Sequence, residues 1–267
     1  MTVASTLIAF AHISKRFDAG RGQPPVLAVD DVSLDVAPGE FLAIVGASGS
    51  GKTTLLRLAN RLITPDSGAV IIDGADIAKL DPIALRRSIG TVFQSGCLFP
   101  HMSVADNIGI TPKLMGWTAT DIATRVDELM TLVRLDSAAY RARLPRELSG
   151  GQRQRVGVAR ALAARPRMVL MDEPFGALDP LTRDALGQDY RQLHRDLGLT
   201  TVMITHDMAE AVLLADRIAV MRAGRLIAHG TPSELSAADD AELTILLQTP
   251  RRQAERLQQL LPRDPKA

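Results

Sequence analysis

The 267-residue chain is long enough for one large domain with an insertion, and its 46% hydrophobic content supports a sizeable buried core. Its 31 basic and 30 acidic residues leave a formal charge of +1, which gives no argument for a polyanionic partner and sets nucleic acid aside; the single cysteine, Cys97, excludes an internal disulfide, and no cluster with metal-ligand spacing stands out. No basic-then-apolar leader pattern opens the sequence and no apolar run approaches the roughly 18 residues of a membrane span, so a cytoplasmic protein is expected.

In chain order, Val3 to Phe10 and Val26 to Val36 read as strands joined by the Gly/Pro-bearing turn Gly20 to Pro25, an antiparallel edge. The apolar run Phe41 to Val45 reads as a buried strand leading into Gly46-Ala47-Ser48-Gly49-Ser50-Gly51-Lys52-Thr53-Thr54. Between a strand and a helix, that string is a P-loop. Gly46, Gly49 and Gly51 let backbone N–H groups converge on phosphates, with Ser48 and Thr54 in the same cradle. Lys52 brings a cation to the β- and γ-phosphates, and the Thr53 hydroxyl can ligate Mg²⁺. The helix starting near Lys52 adds its positive end and is expected to run through residue 62.

Val70 to Gly74 reads as a short strand and turn, and Ile89 to Phe93 returns to the core and ends at Gln94. From Leu98 to about Leu162 the pattern turns helical, with segments at Val104 to Ile108, Ala119 to Val133 and Gln152 to Ala164. The last is introduced by Leu148-Ser149-Gly150-Gly151-Gln152, where a hydroxyl and close backbone donors gather at a helix start. The strand Met168 to Met171 then ends in Asp172-Glu173. Two adjacent carboxylates at the end of a buried strand require compensation: Asp172 would meet it by holding the Mg²⁺ shell, and Glu173 would face the γ-phosphate side as general base. A helix over 181–197, a strand over 201–205 ending at His206, a helix over 208–214 and strands over 217–222 and 226–229 complete the core. Asp240 to Leu261 is expected to be helical in two pieces around Pro250.

Taken together, the P-loop, the Leu148 to Gln152 string and Asp172-Glu173 resemble the ATP-binding subunit of an ATP-binding-cassette transporter, the string matching that superfamily's signature sequence. The resemblance implies an α/β fold: a P-loop NTPase core of the ABC-transporter type with an antiparallel β subdomain and an inserted helical subdomain at about 98–162. Residues 1–235 would form that ATPase and 236–267 a short C-terminal helical extension. It implies ATP and Mg²⁺ as ligands and a head-to-tail homodimer, or a pair with a closely related second ATPase subunit. Ser149, Gly150, Gly151 and Gln152 of one copy would then cap the γ-phosphate held by the other's P-loop. It also assigns Gln94 to Mg²⁺ or the attacking water, Asp179 to the loop where the two subunits meet, and His206 to the γ-phosphate, the water and Glu173. Phe17 would stack on adenine, the plainer alternative being a core or edge phenylalanine. With no ATPase element visibly degenerate, in-line attack of water without a covalent intermediate is expected.

Strings between these motifs are similar to the subfamily that energises uptake of glycine betaine, choline and related quaternary-amine osmoprotectants. They include Asn60 to Gly68, Asp81 to Arg87, Leu98 to Val104 with Asn107-Ile108, and above all Pro112-Lys113-Leu114-Met115-Gly116-Trp117. This implies a membrane permease, an extracytoplasmic solute-binding protein and a peripheral seat on the cytoplasmic face of the cell membrane. An importer ATPase for an amino acid, polyamine or sulfonate is the first alternative, and a soluble non-transport cassette ATPase the second. Many members of the group carry a regulatory domain pair after the core; about 35 residues follow Pro232 here, so that pair is not expected. By the same resemblance a helix of the permease docks in a groove whose wall includes Gln94 to His101. Cys97, Leu98, Phe99 and Met102 either face that partner or pack inside the subunit.

Overall fold

The computed structural model describes residues 6–18 and 24–238, together with Arg252, Glu255 and Arg256, which are helical. The expected helical pieces over Asp240 to Leu261 lie outside the described residues apart from those three, as do Val3 to Ser5 and most of the Gly20 to Pro25 turn.

Two sheets organise the chain. In the first, β1 (Ile8–Phe17) pairs antiparallel with β2 (Val26–Val36). β1 runs well past the predicted Phe10, because register shifts between Phe10 and Arg16 absorb the polar residues that break the alternation; His12 and Asp31 take positive φ there, 51° and 50°. The second sheet begins with β3 (Phe41–Val45), all five of whose residues are buried. It leads through the P-loop into α1 (Lys52–Ala59). That helix stops short of residue 62 because Arg61 turns left-handed (φ 53°) and the Leu62 N–H closes back on the Arg57 carbonyl at 2.9 Å. β4 (Ser67–Ile72) and β5 (Ala75–Asp76) complete the first sheet in the order β2-β1-β4-β5.

Next comes α2 (Pro82–Ser88), a helix the sequence reading left unassigned although Asp81 caps it by accepting from the Ile83 and Ala84 N–H groups and Pro82 opens it. β6 (Ile89–Val92) ends at a 3-10 turn, Gln94–Gly96. The helical segment follows: α3 (Val104–Leu114), six residues longer than predicted; α4 (Ala119–Leu132); α5 (Ser137–Tyr140); and α6 (Gly150–Leu162). α6 starts at Gly150 rather than Gln152 because Ser149 is its N-cap. The core resumes as β7 (Met168–Asp172), α7 (Pro180–Leu197), β8 (Thr200–Thr205), α8 (Met208–Leu214), β9 (Arg217–Arg222), β10 (Arg225–Gly230) and α9 (Pro232–Ala237).

The second sheet has the order β10-β9-β3-β8-β7-β6, with β10 an antiparallel edge on five parallel strands. Alternation along β3 divides the interior. Phe41, Ala43 and Val45 face a core shared with α6, α7 and the helical segment through Val104, Ile108, Leu129 and Val156, while Leu42 and Ile44 face α1 and the first sheet. Arg155 of α6 meets Asp189 of α7 at 2.9 Å, joining the helical segment to the core. β8 lies between β3 and β7, with Val45 opposite Thr205 and Asp172 opposite Ile204. The loops after three neighbouring strands therefore leave the same edge of the sheet, where parallel α/β sheets place their ligands.

Candidate active site

The P-loop is packed against the backbone of β2 and β9. Gly46 has φ 154°, and a Cβ there would lie 2.2 Å from the Met221 carbonyl oxygen; at Gly51 (φ 100°) it would lie 2.1 Å from that of Ala28. Ser48 and Gly49 form the exposed crest of the loop, and Thr53 and Thr54 begin α1 half-buried. The buried Lys52 ammonium donates to the carbonyls of Gly46 (2.7 Å) and Ala47 (2.9 Å), inside the ring of the loop. Burial pushes its pKa down, opposed by the charges of Glu173 and Asp172. A glycine-rich turn wrapped around one cation at the start of a helix fits a phosphate chain.

Asp172 at the end of β7 accepts a 3.3 Å hydrogen bond from the Thr53 hydroxyl. Burial pushes the carboxyl up, with the Thr53 hydrogen bond opposing and the Glu173 charge reinforcing. Two hard oxygen donors this close, one a carboxylate that gains from a nearby cation, suit Mg²⁺, which takes one or two protein oxygens and completes its shell with phosphate and water.

Glu173 follows in a left-handed conformation (φ 45°), with its N–H held by the Ile204 carbonyl at 3.0 Å. That turn brings Oε1 to 3.3 Å from Nδ1 of His206, which stands exposed at the end of β8. Gln94 approaches the same place: a Cβ built on Gly176 would lie 3.7 Å from both Gln94 Nε2 and Glu173 Oε2. Gln94, Glu173 and His206 are therefore gathered at the β6, β7 and β8 ends. Phe17, at the end of β1, is 42% exposed, with Lys15 Nζ 5.6 Å from its ring centre, so it is a surface ring with an open face rather than a core phenylalanine.

The remaining residues are held by other contacts. Ser149 and Gln152 close a capping box, Ser149 Oγ accepting from the Gln152 N–H at 3.2 Å and Gln152 Oε1 from the Ser149 N–H at 2.9 Å. The Gln152 amide also donates to Tyr140 Oη at 3.0 Å, so its side chain is engaged within its own chain. The first N–H groups of α6 lie beyond the reach of intrahelical acceptors, which leaves Gly150 and Gly151 as donors. A Cβ on Gly151 would press to 2.6 Å on Thr182, so its smallness also serves packing against α7. Asp179 caps α7, accepting from the Thr182 N–H at 3.0 Å, and hydrogen bonding to the Thr182 side chain first, then to its N–H, draws its carboxyl below the usual range.

A groove of about 300 Å³ opens between α2, β6, α3 and α6, lined by Phe93, Cys97, Phe99 and Leu114 with Arg86 and Arg87 at its border. Cys97 and Phe99 are exposed, whereas Leu98 and Met102 are half-buried, so the four apolar residues divide between surface and interior. The arginines went unpredicted; the Asp81-Pro82 cap and short helix were the signal that could have found them.

Fold and site define a P-loop nucleotide-binding protein of the cassette type. The ABC transporter family model matches residues 29–176, and the chain belongs to that family. It is 48% identical over 86% of its length to the glycine betaine/carnitine/choline transport ATP-binding protein OpuCA of Bacillus subtilis, covering 59% of that protein. It is 49% identical over 85% of its length to the glycine betaine uptake system ATP-binding protein YehX of Escherichia coli, covering 71% of it. The chain thus spans about three fifths of the Bacillus relative. The dimeric post-hydrolysis structure of the ATP-binding cassette MJ0796 bound to ADP and Pi superposes with a TM-score of 0.76 at 32% identity, over 84% of this chain and 98% of that one.

Proposed function

We propose that this chain hydrolyses ATP to energise import of a quaternary-amine osmoprotectant such as glycine betaine or choline. In this reading residues 1–235 are the ATPase, with its helical insert at about 98–162, and 236–267 an extension. Two copies act head to tail against a membrane permease supplied by an extracytoplasmic binding protein, at the cytoplasmic face of the membrane. The observation that carries the reading is the approach of Glu173 to His206 beside Lys52 and the bonded pair Thr53 and Asp172.

In the reaction, Lys52 and the P-loop N–H groups hold the β- and γ-phosphates. Thr53, Asp172 and Gln94 would hold Mg²⁺, which neutralises charge on the phosphate oxygens when bound. Glu173 accepts a proton from water as the water oxygen attacks the γ-phosphorus in line with the departing ADP. His206 fixes Glu173 and donates to the γ-phosphate. Ser149, Gly150 and Gly151 of the second copy supply donors from the open side, and Asp179 sits where the copies meet. Phe17 offers its open face to adenine. The groove lined by Phe93, Phe99 and Leu114 receives the permease.

The test is ATP hydrolysis by the chain reconstituted with the permease and binding protein encoded beside it, with glycine betaine, choline, an amino acid, a polyamine or a sulfonate supplied. Stimulation by a quaternary amine, lost in Glu173→Gln, is the expected result. Stimulation only by another solute reassigns the cargo, and an inert assembly rejects the hydrolytic reading.

A further inference from the structure

We infer that Arg183, on the first turn of α7, is a positioning residue that ties the loop carrying Glu173 to the turn carrying His206; this rests on the hydrolytic reading above. Its Nη2 donates to the Leu178 carbonyl at 3.2 Å, and its Nη1 meets Asp207 Oδ2 at 3.4 Å. Leu178 lies five residues after Glu173, and Asp207 directly follows His206.

Both anchors are themselves fixed. Asp207 Oδ1 accepts from the Ala209 and Glu210 N–H groups at the start of α8, and the Asp207 N–H donates to Thr205 Oγ1, so Oδ2 remains for Arg183. On the other side the Gly176 N–H donates to the Glu173 carbonyl and the Leu178 N–H to that of Phe175, so tight turns join Glu173 to Leu178. The contacts form a closed circuit: Glu173, Leu178, Arg183, Asp207, His206, and back through the 3.3 Å approach of His206 Nδ1 to Glu173 Oε1.

A planar guanidinium holds two acceptors at a set separation, which a single ammonium cannot do. The buried Nε of Arg183 has no hydrogen-bond partner, so the two Nη contacts decide where the group sits. The Arg183–Asp207 pair is about one-third exposed on each side, which makes its direct effect on folding small. Its effect on alignment is larger, because a shift of about 1 Å between reacting groups costs on the order of a hundredfold in rate.

The experiment measures steady-state hydrolysis, ATP affinity and melting temperature for the full chain in its reconstituted complex, comparing wild type with Arg183→Met, Arg183→Lys, Asp207→Asn and the Met/Asn double variant. Arg183→Met is expected to lower kcat by about ten- to a hundredfold with KM for ATP and melting temperature nearly unchanged. Arg183→Lys should recover only part of the loss, and the double variant should be no slower than the slower single one. An active wild type with an unaffected Arg183→Met overturns this inference alone. So do multiplicative losses in the double variant, or a loss that follows the melting temperature and is fully restored by lysine. An inert wild-type assembly overturns the hydrolytic reading and this inference with it.

Discussion

Glu173 shows how a single backbone angle sets up chemistry. Its left-handed φ, a conformation that costs a non-glycine residue energy, is held by the hydrogen bond to Ile204 and turns the carboxylate toward His206. Removing the carboxylate's basicity while keeping its shape should lower kcat by about 10²–10⁴ and leave ATP affinity intact, which hydrolysis assays paired with nucleotide titration of Glu173→Gln will check. His194 makes a different prediction. It is buried between Thr201 (3.0 Å) and the Gly39 carbonyl (3.2 Å), and burial pushes its pKa down, reinforced by Arg191. The unfolded chain therefore takes up this proton first as pH falls through about 6.5, and folding stability declines from there until the folded imidazole also titrates. The decline is at most about 1.4 kcal/mol per pH unit for one proton. Melting curves between pH 7.5 and 5 should fall more steeply for wild type than for His194→Asn, and parallel curves would reject the assignment.

At the scale of elements, the contact between α6 and the Gln94–Gly96 turn is a close join in the helical segment. A Cβ on Gly157 would lie 3.1 Å from the Gly96 Cα, and Arg160 donates to the carbonyls of Gly96 (2.8 Å) and Cys97 (2.9 Å). Gly157→Ala sets an overpacking cost of about 1–3 kcal/mol, where the new Cβ meets the backbone of Gly96, against a helix-propensity gain of about 1 kcal/mol, and the expected net loss is read as a lower denaturation midpoint with an unchanged slope. Nothing local in the sequence marks Gly157 as a contact. The difference from the P-loop is instructive. Gly46 to Thr54 was legible because its chemistry lies in consecutive residues, and the Asp172-Glu173 strand end and the Ser149 cap were legible for the same reason. The continuation of β1 to Phe17 depends on bulged pairing with β2 and β4, the order of the six strands on crossovers, and the Arg183 bridge on a helix start and a turn that meet across 24 residues of sequence. Such partners are distant in the chain, and periodicity carries no record of them. α2 is the exception, since Asp81-Pro82 announced it and its lack of an apolar repeat hid it.

For the whole molecule, the proposed head-to-tail arrangement has two chains sharing each site. Mixing a Lys52→Ala chain with a Ser149→Arg chain, each inactive by itself, should restore hydrolysis, because one of the two sites in a mixed pair then combines an intact P-loop with an intact cap. Hydrolysis measured across the mixing ratio should peak near equal amounts, and a flat zero would argue that each chain completes its own site. Among the described residues no helix is long and apolar enough to cross a membrane. On the transport reading, α6 is suited to carry motion toward a permease. Its 13 residues span about 20 Å, with the Ser149 cap at one end and the turn bearing Gln94 and Cys97 clamped to its flank. A helix of that length bends little, so on the proposed reading it would work as a rocker arm: a tilt imposed at its capped tip would arrive in the same stroke at the groove rim around Phe99.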